Sequence, residues 1–208
     1  MISINSHIEV ISFDIGNTLI NLDGIQGFCT FFCQITGMKV DDIRGILNDY
    51  FLKRNVDIED AVSEVCSILG IGDYKMIISE YQKNRLNTTV FPDVVSALMR
   101  LRNKGYKIIA CSNCVKWDAD DPDGILHDNI DKIFYSFEIG YAKPDLGFFN
   151  YVTNSMQVEK SKFLHIGDSL IADYYAAREA GWESILIDRS GKHRNLAEFK
   201  INSLDQLL

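Results

Sequence analysis

Residues 8–18 read I-E-V-I-S-F-D-I-G-N-T, a β-rich run followed by an acidic residue and a turn. The branched and aromatic side chains among the first six positions are typical of a strand. The Gly-Asn-Thr sequence at 16–18 is typical of a turn. We therefore expect Asp14 to lie at the carboxyl end of a strand.

From residue 91 onward the sequence alternates helix and strand patterns. The predicted strands cover residues 106–111, 133–137, 163–166 and 184–187, and the later predicted helices cover residues 147–156 and 171–180. This alternation predicts an α/β fold with a three-layer, Rossmann-like parallel sheet. Ligands bind such sheets at the carboxyl ends of the strands.

Another helix is predicted to begin directly after Phe91-Pro92. Asp93 is placed to cap its N-terminus. Apolar residues at 94, 95, 98 and 101 recur at helical spacing, and Gly105 is expected to mark the end of the helix.

Residues 23–87 form a different region of the sequence. Between about residues 26 and 85 no strand pattern is convincing, and helical patterns break near Gly37, residues 55–57 and residues 70–72. We interpret residues 23–87 as a small helical-bundle cap inserted into a core formed by residues 1–22 and 88–208. The aromatic residues at 28, 31 and 32 are expected to pack inside this cap.

The composition excludes several classes of partner. The chain has 208 residues, of which 47% are hydrophobic, and its net charge of −8 and pI near 5.0 argue against nucleic acid or an anionic membrane as a partner. We find neither a signal peptide nor an apolar run long enough to span a membrane. Five cysteines form no disulfide framework, so we expect a reduced, cytoplasmic protein.

Four polar residues follow four separate predicted strands: Asp14, Ser112, Lys143 and Asp168. In a parallel sheet these strand ends meet at one edge. A carboxylate can act as a nucleophile toward phosphorus, while a hydroxyl and an ammonium group can hold the phosphoryl oxygens. Two carboxylates with a backbone carbonyl suit Mg²⁺. These residue types therefore point to magnesium-dependent chemistry on a small phosphorylated molecule.

On these residues the chain resembles the haloacid dehalogenase superfamily of phosphohydrolases. The matching segments read F-D-I-G-N-T-L (13–19), C-S-N (111–113), A-K-P-D (142–145) and H-I-G-D-S-L-I-A-D (165–173). Their order and spacing are similar to those of the family's four motifs, and the resemblance covers nearly the whole chain. The segment 23–87 resembles the helical cap of the family's first cap class.

The resemblance implies a role for each matching residue. Asp14 would be the nucleophile, and Gly167 would permit a close approach of its loop. The implied magnesium ligands are Asp14, the Gly16 carbonyl, Asp168 and Asp173, the last directly or through water. The residues implied to hold the phosphoryl group or substrate are Ser112, Asn113, Lys143 and Asn17.

One position departs from the family pattern. In the phosphatase members, the residue two after the nucleophile is usually a second aspartate that acts as general acid and then general base. Here that residue is Gly16, and loss of such a group typically costs roughly 10²–10⁴ in rate. The substrate can instead have a good leaving group, such as an acyl, anomeric or aryl phosphate. Alternatively another acid acts from the cap side, with Asp23 or the 118–123 loop as candidates.

Two further functions stay open on the sequence. A catalytically weak member could serve as a binding or regulatory protein, because Gly16 removes the acid and base while the metal and phosphate residues remain. A dehalogenase is the third possibility, since dehalogenases also lack the second aspartate. They have little use for a magnesium site, however, and Asp168 with Asp173 resembles an intact one.

Three other features have simpler structural interpretations. Cys111 and Cys114 form a C-x-x-C, but no second pair lies at zinc spacing, so we expect free thiols. The acidic loop 118–124 lacks the alternating acids of a calcium loop and is expected to be a solvated turn. We expect His165 to be a packed residue behind the metal loop, whereas Trp117 could contact substrate or cover the core edge.

Overall fold

A parallel β-sheet forms the centre of the molecule. The computed structural model describes residues 2–22, 25, 27–84, 88–119, 121, 124–193 and 199–207. Its strands, in chain order, are β1 (Val10–Phe13), β2 (Ile20–Asn21), β3 (Thr89–Val90), β4 (Lys107–Ser112), β5 (Lys132–Tyr135), β6 (Phe163–Gly167), β7 (Glu183–Ile187) and β8 (Lys200–Ile201). Within these residues, six strands pair in parallel in the order β5–β4–β1–β6–β7–β8, and β2 pairs with β3 in a separate antiparallel ribbon.

Strand β1 lies in the middle of the sheet and is covered on both faces. Phe13 is opposite Ala110 of β4 on one side and Ile166 of β6 on the other. Phe13 belongs to the apolar core on one face, whereas Val10 belongs to the core on the opposite face. Burial on both faces explains why the strand reads as an almost continuous apolar run.

The described helices, in chain order, are α1 (Phe28–Thr36), α2 (Val40–Leu47), α3 (Ile58–Leu69), α4 (Tyr74–Asn84), α5 (Val94–Asn103), α6 (Ile125–Asn129), α7 (Ser136–Ile139), α8 (Leu146–Met156) and α9 (Ala176–Glu179). Wider π-helical turns occupy Asn48–Leu52 and Leu170–Tyr175. None of these helices combines the length and the apolar character needed to cross a lipid bilayer.

Helices cover both faces of the sheet. On the face that includes Phe13, α5 and α6 contribute Leu98 and Leu126 to the core. On the opposite face, α8 and α9 contribute Phe149 and Ala177. The molecule is therefore a three-layer α/β fold, which confirms the fold predicted from the sequence.

Helices α1 to α4 share a separate apolar core, and we call residues 28–84 the helical block. Phe28 and Phe51 meet edge to face in this core, with ring centroids 5.1 Å apart. Phe28 and Phe32 are fully buried, as expected for packing residues. Trp117, from the loop after β4, joins the same core through an edge-to-face contact with Phe28 at 5.0 Å. The cap predicted at residues 23–87 encloses this block.

Several predicted elements differ from the structure at their ends. The strand predicted at 133–137 stops at Tyr135, because the Ser136 hydroxyl bonds to the Cys114 backbone and α7 begins there. The helix predicted at 171–180 begins as a wide turn, in which the Tyr174 amide donates to the Ser169 carbonyl at 3.0 Å. Strands β2, β3 and β8 were not predicted, because two-residue strands carry no alternation pattern.

The predicted cap of α5 was wrong in its detail. Asp93 does precede the helix, but its side chain makes no cap hydrogen bond. It instead accepts hydrogen bonds from Arg189 (3.0 Å), Ser203 (2.6 Å) and the Leu204 amide (2.8 Å). Long-range partners, of which Arg189 is charged, therefore replace the local capping partner.

Candidate active site

The predicted site residues gather at the carboxyl edge of the sheet. Asp14 follows β1, and its amide donates to the Ile166 carbonyl of β6 at 2.8 Å, which fixes its backbone at the strand end. Ser112 is the last residue of β4, and Asp168 follows β6. Lys143 lies in the loop after α7, directly before a cis peptide bond to Pro144, and not directly after a strand as predicted.

Lys143 is buried at the centre of the site and connects two carboxylates. Its Nζ donates to Asp14 Oδ1 (2.8 Å), Asp173 Oδ1 (2.6 Å) and the Cys111 carbonyl (2.8 Å). Burial lowers the pKa of Lys143, but the two carboxylates raise it more, so the net pKa is above its ordinary value. All three protons of the ammonium group are therefore engaged and retained.

Asp173 is held by three donors. Its Oδ1 accepts from Lys143 and from His165 Nε2 at 3.0 Å, and its Oδ2 accepts from the Ser169 amide at 2.9 Å. Burial raises the pKa of Asp173, but Lys143 and His165 lower it by more. The net pKa is therefore below its ordinary value, and the carboxyl is ionised. One acceptor position on Oδ2 stays available for another partner.

Gly167 provides the space for this carboxylate. A Cβ atom on Gly167 would lie 2.6 Å from the Asp173 Cβ and 2.5 Å from its Oδ2. The wide turn Leu170–Tyr175 directs Asp173 back over the end of β6, onto the backbone of Gly167. The structure therefore agrees with the expectation that Gly167 permits a close approach.

A chain of buried polar groups supports Asp173 from below. His165 is fully buried, with Nε2 facing Asp173 and Nδ1 at 2.9 Å from Ser12 Oγ. Burial lowers the pKa of His165, so the ring is neutral. Its proton lies on Nε2, because an ionised carboxylate can only accept. Ser12 Oγ in turn lies 3.2 Å from Cys111 Sγ, and His165 is the packed residue expected from the sequence.

Three carboxylates converge in a group that can hold a cation. One oxygen from each of Asp14, Asp168 and Asp173 lies within 4.8 Å of the others. Burial raises the pKa of Asp14 to about 7 and that of Asp168 to about 6, and repulsion from Asp173 adds to both increases. Clustered, buried oxygen donors of this kind fit a hard divalent cation, which would relieve their mutual repulsion.

Two asparagines predicted to bind substrate have other partners. The Asn113 side chain accepts from the Lys143 amide at 2.8 Å and donates to the Lys143 carbonyl at 2.6 Å. Asn17 has φ of 54°, accepts from the Leu22 amide at 3.3 Å and bonds to Asp168. Both side chains thus position other residues of the site, and Asn113 can offer a ligand its backbone amide.

Gly16 is covered by an apolar side chain. A Cβ atom on Gly16 would lie 2.9 Å from Leu22 Cδ1. Leu22 therefore occupies the space that a side chain at position 16 would enter. The Leu22 backbone is held in this position by the hydrogen bond from its amide to Asn17 Oδ1.

A cavity of about 410 Å³ opens above these residues, between the sheet edge and the helical block. Asp14, Gly16, Ser112, Lys143 and Asp168 line its base. Its remaining wall is mostly apolar and includes, among the described residues, Ile20, Leu22, Phe28, Leu52, Val115 and Tyr135. This size and character are typical of a site for a small molecule.

Of the acids considered as replacements at position 16, Asp118 reaches this cavity. Its carboxylate accepts from the Tyr81 hydroxyl (2.5 Å) and the Phe28 amide (3.2 Å). Asp121 instead binds the amides of Leu126 and His127 at the start of α6. Asp23, Asp120 and Asp123 lie outside the described residues.

Cys111, Cys114 and Trp117 all have partners within the fold. Neither Cys111 nor Cys114 is in a disulfide, and burial raises the pKa of Cys111 to about 12. The Cys114 thiol donates to the Val115 carbonyl at 3.1 Å. Trp117 packs in the helical block and is not among the described residues that line the cavity.

Sequence reasoning missed the residues that shape the cavity wall. Leu22, Tyr81 and Phe28 come from segments far apart in sequence, and each by itself reads as an ordinary packing residue. A usable signal existed only for Asp118, as part of the acidic loop considered above. Which apolar residues face a ligand depends on how the helical block sits on the sheet.

Comparison with known proteins identifies the family of this arrangement. A model of haloacid dehalogenase-like hydrolases matches residues 8–181. Glyceraldehyde 3-phosphate phosphatase of Methanothermobacter thermautotrophicus is 27% identical over 118 residues, which cover 55% of this chain and 52% of the relative. The chain spans about half the length of the curated relatives it matches.

Two solved structures share the fold over almost the whole chain. A HAD phosphatase from Thermococcus onnurineus is 22% identical, with a TM-score of 0.60, and the match covers 96% of this chain and 95% of that chain. A 2-haloacid dehalogenase from Pseudomonas syringae is also 22% identical, with a TM-score of 0.65 and 96% of each chain covered. At this identity the likeness shows the fold alone. With the family model spanning most of the sequence, the chain belongs to the haloacid dehalogenase-like hydrolase family.

Proposed function

We propose that this protein is a magnesium-dependent phosphatase that removes the phosphoryl group from a small metabolite, with Asp14 as nucleophile. The observation that carries the proposal is the buried arrangement of Asp14, Lys143 and Asp173 beside Asp168 at the base of the cavity. The phosphatases among its relatives support the same reaction class.

Magnesium would be held by Asp14, Asp168, the Gly16 carbonyl and Asp173, the last directly or through water. When bound, the cation supplies positive charge that lets an anionic nucleophile approach an anionic phosphate. The described hydrogen bonds in the turn after Asp14 use the carbonyls of Ile15 and Ile20. This pattern is consistent with a ligand role for the Gly16 carbonyl, because Gly16 lines the cavity.

The phosphoryl group would be held by Ser112, the Asn113 amide and the charge of Lys143. Ser112 lines the cavity beside Asp14, and its hydroxyl can donate to a phosphoryl oxygen. Lys143 stays charged because both of its carboxylate partners are buried with it. Its charge stabilises the negative charge that spreads over the phosphoryl oxygens in the transition state.

The reaction would proceed in two displacements at phosphorus. A carboxylate oxygen of Asp14 forms a bond to phosphorus, and the bond to the ester oxygen breaks, with its electron pair leaving on that oxygen. Water then attacks the aspartyl-phosphate, the bond from phosphorus to Asp14 breaks, and inorganic phosphate leaves with the carboxylate restored. The helical block, acting as a cap, would exclude bulk water during these steps.

Phosphate release from a panel of phosphate esters and acyl phosphates tests this proposal. Release should require Mg²⁺, disappear with EDTA, and fall to background in Asp14→Asn. Release that survives in Asp14→Asn would contradict the proposal. The Asn substitution is close in size to aspartate, and a matched thermal unfolding curve would exclude loss of the fold as the cause.

A catalytically weak binding or regulatory protein is the second candidate. Gly16 supports it, because glycine has no side chain that can donate or accept a proton, and Leu22 fills the adjoining space. This candidate predicts binding of Mg²⁺ and a phosphate mimic with no turnover on any panel member. Halide displacement by Asp14 is the third candidate, and it predicts release of halide from a 2-haloacid in EDTA.

A further inference from the structure

We propose that the substrate is a phosphate monoester of an apolar aromatic alcohol, of the phenyl phosphate type, because the described residues of the cavity beside Asp14 offer its leaving group an apolar wall and no ready proton donor. This inference rests on the proposed phosphatase function and specifies the substrate class. Leu22 over Gly16 and the charges of the cavity wall carry it.

A departing alkoxide would need a proton from a group at the base of the cavity. Gly16 has no side chain, and Leu22 fills the adjoining space. Lys143 has all three protons engaged by Asp14, Asp173 and the Cys111 carbonyl. In the proposed function Asp14 is the nucleophile and Asp168 binds the cation. None of these groups at the base of the cavity is thus left to act as the acid.

The upper wall of the cavity carries a carboxylate, Asp118, and a thiol, Cys29. The Asp118 carboxylate is engaged as the acceptor of hydrogen bonds from the Tyr81 hydroxyl and the Phe28 amide. Burial, together with repulsion from Asp118, raises the pKa of the Cys29 thiol to about 12. Asp118 is thus already engaged as an acceptor, and the Cys29 thiol is a weak acid, so among the described residues neither is suited to protonate the leaving oxygen. That oxygen then has to be stable as an anion by itself.

The cavity wall would contact the part of the substrate that lies beyond the phosphoryl group. Leu22, Phe28, Tyr135 and Leu52 present carbon surface to the cavity. Among the described residues that line it, Lys143 supplies the positive charge, and Asp118 adds a negative charge away from the catalytic carboxylates. A second anionic group on the substrate would face this negative charge. An aromatic ring fits the wall and also stabilises the departing oxygen.

In the reaction, Asp14 forms a bond to phosphorus and the bond to the aryl oxygen breaks, so that the electron pair leaves on an aryloxide. The aryloxide takes a proton from solvent after it departs. A phenol has a pKa of about 10, like the tyrosine side chain, whereas an aliphatic alcohol holds its proton about as strongly as water, with a pKa near 16. The aryl ester therefore needs no acid from the protein.

The test compares kcat/KM for phenyl phosphate and cyclohexyl phosphate, which are similar in size and apolar character. Without a general acid, we expect phenyl phosphate to be favoured by at least roughly 10²–10⁴-fold. We also expect 4-carboxyphenyl phosphate to be a poorer substrate than phenyl phosphate, although its leaving group is better. Equal use of the phenyl and cyclohexyl esters, or preference for the carboxylated ester, would overturn the inference.

A variant pair isolates the contribution of position 16. Gly16 has no positive φ that would exclude another residue, so Gly16→Asp combined with Leu22→Ala can place a carboxyl beside the leaving group. We expect this double variant to lower the ratio of kcat/KM for phenyl phosphate to kcat/KM for cyclohexyl phosphate. We expect Leu22→Ala alone to leave this ratio high. If Leu22→Ala alone lowers this ratio as much as the double variant does, the inference is wrong.

The two proposals fail in different ways. If no ester releases phosphate, or if Asp14→Asn retains activity, the phosphatase function itself is wrong. If release depends on Asp14 and Mg²⁺ but alkyl or sugar phosphates are preferred, the function stands and only the substrate class is wrong.

Discussion

Individual residues at this site act mainly by holding one another in place. Lys143 fixes Asp14 and Asp173 at once, Asn113 fixes the Lys143 backbone, and His165 fixes Asp173 from below. Because each contact is buried and charge-assisted, loss of one partner leaves another polar group unsatisfied. We therefore expect changes behind the site to reduce activity without touching substrate.

Gly167→Ala tests this expectation at the most crowded point. The new Cβ would overlap Asp173, so Asp173 must shift away from Lys143 and from the proposed metal site. Overpacking of this kind typically costs about 1–3 kcal/mol of stability. We expect chemical denaturation to show that loss of stability. We also expect phosphate release to need a higher Mg²⁺ concentration, because the cation is bound more weakly.

Gly45→Ala serves as the matched control. Gly45 lies on the exposed side of α2, and a Cβ there would meet nothing within 4 Å. The same substitution should therefore stabilise the helix by about 0.5–1 kcal/mol and leave activity unchanged. Equal effects of the two substitutions would contradict the role assigned to Gly167.

At the scale of elements, the site is built where strands end and where one loop enters the helical block. The strands were predictable because their residues are apolar on both faces. Asp14, Ser112 and Asp168 lie at the ends of such runs, whereas Lys143 lies in the loop after α7. The four predicted positions Asp14, Ser112, Lys143 and Asp168 do meet at one cavity.

Other elements could not be predicted, for physical reasons. The ribbon β2–β3 and strand β8 are too short to show a period. The covering of Gly16 by Leu22 depends on the path of the chain through a turn with Asn17 at positive φ, which a sequence pattern does not specify. The partner of Asp93 lies almost a hundred residues away, so a local capping rule selected the wrong one.

Trp117→Ala tests the connection between the β4 loop and the helical block. The ring contacts Phe28 and Phe51 with centroids 5.0 and 6.0 Å apart. Its removal should cost about 3 kcal/mol, the lower end for a large aromatic residue because Trp117 is only partly buried. We expect a lower free energy of unfolding and, since Phe28 also lines the cavity, a raised KM.

Trp117→Phe keeps an aromatic ring in the same place and should retain most of the stability and the KM of the natural protein. If both variants raise KM equally while stability is unaffected, Trp117 contacts substrate directly and its assignment to the helical core is wrong.

At the scale of the whole molecule, Asp93 and Arg189 join segments that are distant in sequence. Arg189 donates to both Asp93 oxygens and to the Thr18 carbonyl, which lies in the turn after Asp14. Asp93 also binds the C-terminal turn through Ser203 and Leu204. This network therefore links α5, the end of β7, the C-terminal turn and the edge of the active site.

The stability of this network should depend on pH. Burial raises the pKa of Asp93, but hydrogen bonds from Arg189, Ser203 and Leu204 lower it more, so its folded pKa is below the ordinary 3.8. A lowered folded pKa contributes stability above the unfolded pKa, and that stability is lost as the pH falls through the folded pKa. Asp93→Asn should be less stable at pH 7 by about 1–3 kcal/mol.

Urea denaturation at several pH values measures this effect. The difference between the natural protein and Asp93→Asn should shrink as the pH falls below about 4. Asp41→Asn is the control, because Asp41 pairs with Arg44 on an exposed surface and should change stability by less than about 1 kcal/mol. A difference for Asp93→Asn that stays constant down to low pH contradicts the assigned role.

The central claim is that Asp14 becomes phosphorylated during turnover. Because Gly16 offers no base to activate water, the aspartyl-phosphate should persist long enough to be trapped. The protein is mixed with phenyl phosphate and Mg²⁺, quenched in acid, digested and analysed by mass spectrometry. The account predicts one phosphoryl group on the peptide that contains Asp14, absent with EDTA and in Asp14→Asn. A phosphoryl group on another residue, or phosphate release with no phosphorylated Asp14 at any quench time, would contradict it.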